Sequence, residues 1–133
     1  MPEATDALSD KEQTHHTIMI VEDDVHIGTF LVEAITQETA YRALLVGNAS
    51  EALEAVKSLK PHLLVLDYQL PDINGLDLYD QIHVMSELET VPAIMMSARL
   101  PRRELERRTI IGIHKPFDLD DFLQMVKKLL DQG

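Results

Sequence analysis

Five short apolar runs alternate with amphipathic stretches along this chain, and that alternation limits the fold more than any other feature. Thr17–Val21 (TIMIV) is the first run and Arg42–Val46 (RALLV) the second. Residues 62–66 (HLLVL), 91–96 (VPAIMM) and 109–113 (TIIGI) are the others. Between them the apolar period changes from continuous to helical. Ile27, Phe30, Leu31, Ala34 and Ile35 form one stripe across residues 25–38. Ala52, Leu53, Val56 and Leu59 form a second, opened by Asn48 with Glu51 three residues on, the pattern of a capping box. Pro61 marks a break, and the turn-rich PDING at 71–75 precedes a third stripe of Leu78, Ile82 and Met85. Pro101 suits the first position of a fourth helix, 101–108, of only about two turns. Asp118 caps a fifth, with Leu119, Phe122, Leu123, Val126, Leu129 and Leu130 on one face.

The pattern is (βα) repeated five times. Strict alternation predicts an α/β fold, a parallel sheet covered by helices on both faces. Continuously apolar strands suit burial on both sides.

At 133 residues, 45% of them hydrophobic, the chain is one globular domain. Residues 1–15 are polar, acidic and aperiodic, and read as a disordered arm ahead of a domain spanning 16–131. There is no cysteine, which excludes a disulfide framework and thiolate metal sites. No apolar run approaches the length of a membrane span, and the N-terminus lacks the basic and apolar regions of a signal peptide. The expected location is the cytoplasm. A net charge of −11 argues against direct nucleic-acid binding and favours partners that present positive charge. Against that background Arg99, Arg102, Arg103, Arg107 and Arg108 fall within one ten-residue window.

In open parallel sheets, ligands bind beyond the carboxyl ends of the strands. The polar residues there form a coherent set. The first run ends in Glu22-Asp23-Asp24, the third in Asp67, the fourth in Ser97 and the fifth in His114-Lys115-Pro116. Clustered carboxylates repel, so they must be protonated, paired or bound to a cation. Oxygen ligands favour Mg²⁺ or Ca²⁺, and Mg²⁺ needs only one or two carboxylates plus a phosphate. Lys115 offers a compact positive charge and Ser97 a hydroxyl, both suited to the oxygens of a phosphoryl group on Asp67. A nucleotide-phosphate site would require a glycine-rich loop after the first strand, where this chain is acidic. A hydrolase similar to the haloacid dehalogenases would carry a second aspartate two residues after the nucleophile, where this chain has Gln69.

IMIVEDD at 18–24, LLVLDYQLPDINGLDL at 63–78, PAIMMSA at 92–98 and KPF at 115–117 together resemble the receiver domain of two-component response regulators. The resemblance implies a flavodoxin-like (βα)5 three-layer sandwich with strand order 2-1-3-4-5. It implies Asp67 as phospho-acceptor and metal ligand, and Glu22 and Asp23 as the acidic pocket, with Asp23 the more direct Mg²⁺ ligand. The backbone carbonyl of Gln69 would complete the protein's share of the coordination. Ser97 and Lys115 would bind the phosphoryl oxygens, and Lys115-Pro116 would be cis. The donor would be a phosphohistidine on a histidine kinase or histidine phosphotransfer protein. The chain would be a single-domain switch, a phospho-acceptor and not a conventional enzyme. Its output would be altered protein contacts, with homodimerisation as one form.

Three departures stand out. Gly112 occupies the position of the usual aromatic switch residue, the segment from Ser97 to Lys115 is short, and the variable positions flanking the site are Gln69 and Arg99. They motivate an alternative reading, a receiver-like interaction module that works without phosphorylation. The arginine-rich window is either a solvated helix or the face that meets an output partner or a second copy. Asp24 reads as a helix cap. His114 is expected to point away from Lys115, His15-His16 to belong with the arm, and Met19, Met85, Met95, Met96 and Met125 to fill the core.

Overall fold

The computed structural model describes residues 16–131, so the expected arm at 1–15 lies outside the described residues. Five strands, β1 (Thr17–Val21), β2 (Arg42–Val46), β3 (Leu63–Asp67), β4 (Ala93–Ser97) and β5 (Ile111–His114), alternate with five helices. These are α1 (Val25–Glu38), α2 (Ala49–Ala55), α3 (Gly75–His83), α4 (Arg102–Arg108) and α5 (Leu119–Asp131). The strands form one parallel sheet in the order β2-β1-β3-β4-β5. This is the flavodoxin-like topology that the resemblance implied. None of the described helices is long and apolar enough to cross a membrane.

Side-chain alternation divides the core between the two faces of the sheet. Ile18, Ile20, Leu63, Val65, Ile94 and Met96 pack under α1 and α5 with Leu31, Ile35, Phe122 and Val126. Met19, Val21, Leu64, Leu66 and Met95 pack under α2, α3 and α4 with Ala52, Leu78, Ile82 and Leu105. Met19, Met95 and Met96 are fully buried, as core filling requires. Truncating a buried leucine such as Leu66 to alanine costs about 2–5 kcal/mol.

Several boundaries differ from the sequence expectation, each for a local reason. α2 ends at Ala55, so Val56 and Leu59 pack on the core from the turn beyond it. Pro61 disfavours helical geometry at the residue before it, and the N–H groups of Lys57 and Ser58 turn to carbonyls three residues back. α3 ends at His83, leaving Met85 outside it. Pro92 has no N–H to donate, and β4 begins after it. α4 closes on Thr109 in the left-handed region (φ 59°), with the Ile110 N–H donating to the Leu105 carbonyl, so β5 starts only at Ile111. Pro101 precedes α4 as its cap, since its ψ of 77° is not helical, and gives no side-chain hydrogen bond. Phe30 is 53% exposed, because Gly28, Leu31, Ala34 and Ile35 form the buried face of α1. His16 is not part of a free arm. Its ring stacks between Tyr41 and His62, and its carbonyl accepts from the Arg42 N–H. His15 lies outside the described residues.

Capping fixes where helices begin around the strand ends. Asp24 accepts from the His26 and Ile27 N–H groups, and Asn48 from that of Glu51. The Glu51 carboxylate bonds the Gly47 N–H, one residue earlier than a reciprocal capping box predicts. Asp72 reaches from the β3–α3 loop to the Ala49 and Ser50 N–H groups, tying that loop to the start of α2. Gly75 sets the start of α3 against the end of β3. Its N–H donates to the Tyr68 carbonyl, and a Cβ there would lie 2.6 Å from the Asp67 carbonyl oxygen. Backbone cannot move aside as a side chain can. Gly75→Ala is therefore expected to lose about 1–3 kcal/mol in reversible urea denaturation. Gly47→Ala, where the nearest atom to an added Cβ is a carboxylate oxygen at 3.8 Å, is expected to lose much less.

Candidate functional site

The strand ends meet because the backbone ladder runs past them. The Glu22 N–H donates to Val46, Tyr68 to Met96 and Lys115 to Ser97, each continuing the sheet by one bond. This brings the residues that end or follow β1, β3, β4 and β5 to one edge of the sheet. They line an open cavity of about 470 Å³ that includes Glu22, Asp23, Asp67, Gln69, Ser97 and Lys115. All six residues expected from the sequence therefore meet in one place.

Glu22 and Asp67 are buried, with 2% and 6% of their surface exposed, whereas Asp23 is open to solvent. Lys115 Nζ lies 3.1 Å from Glu22 Oε1 and 3.3 Å from Asp67 Oδ2, so one ammonium serves two carboxylates. The other Glu22 oxygen accepts from the Asp24 N–H, and Asp67 Oδ1 accepts from the Gln69 N–H at 3.1 Å. Burial pushes the Glu22 carboxyl up to about 7, and the neighbouring Asp67 adds to the shift. Burial alone would pull the Lys115 ammonium down, but its bond to Glu22 and the charge of Asp67 hold it above the ordinary lysine value.

Oxygen atoms of Glu22, Asp23 and Asp67 lie within 4.8 Å of one another. Three carboxylates converge beside one ammonium that pairs with only two of them, and the donors are all hard oxygens. This cluster is capable of holding a divalent cation of the Mg²⁺ or Ca²⁺ type.

Two expected residues have particular settings. The Ser97 hydroxyl is buried and engaged with backbone, donating to the Arg99 carbonyl at 2.9 Å and accepting from the Arg99 N–H at 3.0 Å. Lys115-Pro116 is cis, and His114 is exposed beside Asp118, Asp121 and Lys128, facing away from the carboxylates. Sequence reasoning did not find the Gln69 N–H as a partner of Asp67, nor Gly75 as its support. Both act through backbone and have no side-chain signature.

The raised Glu22 carboxyl predicts a proton-linked site. An unfolded chain loses this proton near 4.5, the folded protein only near 7. The group's contribution to stability is therefore full below the unfolded value and is lost as pH rises through the folded one. Binding of a divalent cation near roughly pH 6 is expected to release about one proton, and near roughly pH 8.5 almost none. Calorimetric titration in buffers of different ionisation enthalpy measures this directly.

The description "Response regulator receiver domain" matches residues 18–127. Curated relatives include the polar-differentiation response regulator DivK of Brucella anthropi, 28% identical over 86% of this chain and 95% of that protein. Another is sporulation initiation phosphotransferase F of Bacillus subtilis, 29% identical over 85% of this chain and 92% of its own. Among solved structures, the non-phosphorylated HemR receiver domain of Leptospira biflexa superposes with a TM-score of 0.79 at 30% identity, covering 86% of this chain and 94% of its own. A CheY-like receiver domain protein of Methanospirillum hungatei reaches 0.81 at 24% identity, covering 89% and 95%, a likeness of fold. The family match takes in β1 to β5 together with the acidic cluster and its lysine, and the chain accordingly belongs to the response regulator receiver domains and is a phosphorelay switch.

Proposed function

We propose that Asp67 is the residue that accepts the phosphoryl group. A carboxylate oxygen of Asp67 forms the new O–P bond as the N–P bond of a phosphohistidine breaks, and the electron pair leaves with the imidazole. The donor is a histidine kinase or a histidine phosphotransfer protein. The observation that carries this reading is the convergence of the Glu22, Asp23 and Asp67 oxygens at the carboxyl edge of the sheet, with Lys115 paired to Glu22 and Asp67. Mg²⁺ fits the cluster, held by Glu22, Asp23, Asp67 and the Gln69 carbonyl, and when bound it supplies neutralising charge to the incoming phosphoryl group. Lys115 leaves the two carboxylates to bind a phosphoryl oxygen. The Ser97 hydroxyl reaches another only by giving up the Arg99 carbonyl.

An open apolar groove of about 650 Å³ adjoins the site, sharing Ile27, Ala98 and Lys115 with it and bordered by the exposed Phe30. It offers a donor protein a surface beside Asp67. On the other side, α4, β5 and α5 form the face proposed for an output partner or a second copy.

Incubation with acetyl phosphate and Mg²⁺ tests the assignment. Intact-mass spectrometry is expected to show one phosphoryl adduct on the natural chain, none on Asp67→Asn, and none when the metal is chelated. No adduct on the natural chain, where another receiver domain is labelled in parallel, contradicts the assignment. It would favour the interaction module that works without phosphorylation.

A further inference from the structure

Five of the chain's six arginines lie in residues 99–108, and that window contains no lysine. It holds only two acids, Glu104 and Glu106, in a chain whose net charge is −11. Arg108 is spent on the fold. Its guanidinium makes a fork with Asp80 of α3 at 2.8 and 2.9 Å and also bonds Glu104. Arg107 lies 3.6 Å from Glu104. Arg99, Arg102 and Arg103 are exposed and make no ion pair among the described residues.

We propose that Arg99, Arg102, Arg103 and Arg107 form a docking surface for an acidic segment of a partner protein. A merely solvated face is built as well from lysine, which is more strongly hydrated. The weakly hydrated, planar guanidinium is the group that pairs bidentately with carboxylates at interfaces. Size decides between acidic polymers. α4 has seven residues and is about 10 Å long. A nucleic-acid strand extending past it would run along a chain whose net charge is −11, where its phosphates are repelled. A short acidic peptide ends where the positive surface ends.

The experiment is fluorescence anisotropy with a labelled oligoglutamate peptide, and an oligothymidylate of equal length as the rival probe, in low-salt buffer. The natural chain is expected to bind oligoglutamate, and more weakly as salt rises. Arg102→Glu with Arg103→Glu is expected to weaken binding at least about tenfold. Lys57→Glu with Lys60→Glu, the same change in net charge elsewhere, is expected to alter it less than about twofold. Because a charge reversal can disturb the helix, Arg102→Gln with Arg103→Gln is measured beside it and is expected to show the same direction. Equal loss from both pairs of charge reversals, no binding of oligoglutamate, or tighter binding of oligothymidylate overturns the proposal.

Discussion

One ammonium between two buried carboxylates is the interaction on which this structure turns. Glu22 and Asp67 come from separate strands, and Lys115 follows a third. Two carboxylates in a buried site repel, and removing Lys115 would leave both without a cation inside the protein. The sheet order places β1 beside β3, so the acids are neighbours. The lysine follows directly on β5, an edge strand, and its side chain reaches both acids. Burial and the neighbouring Asp67 hold the Glu22 carboxyl up to about 7 despite the lysine, so one ammonium does not fully compensate the pair. That imbalance gives the site its capacity for a divalent cation.

Most of the fold was readable because its signals are local. Apolar runs located every strand and helical stripes four of the helices, Pro101 marked the short α4, and Asp24, Asn48 and Asp118 marked helix starts through side-chain oxygens that bond nearby N–H groups. The misplacements came where a boundary is decided by backbone or by distant packing. Leu59 and Met85 keep a helical period, yet lie beyond the helices they seemed to extend, because turns there also present them to the core. Phe30 was expected inside and is outside, because Gly28 allows α1 to approach Leu45 closely on a slightly rotated face. His16 was unreadable because its partners, Tyr41 and His62, are far away in sequence.

The site followed a similar division. Its charged and hydroxyl groups were legible as the residues that end each strand, and the sheet brought all of them together. Their pairings were not. Ser97 faces the Arg99 backbone, and Asp67 takes an N–H from Gln69. The departure at Gly112 also changed meaning. In sequence it is a missing ring; in the structure it is the space that Leu100 and Leu105 occupy, which seats α4 against β5.

The central claim is that Asp67, and not one of the neighbouring acids, carries the phosphoryl group. An acyl phosphate is reduced by borohydride to an alcohol, which marks the labelled residue permanently. After phosphorylation by a phosphohistidine donor and borohydride treatment, peptide mass spectrometry is expected to find the aspartate-to-homoserine change at position 67 alone. Finding the reduction of carboxyl to alcohol at Glu22 or Asp23 instead, or finding no reduced residue in a chain that has taken up phosphate, would contradict the account.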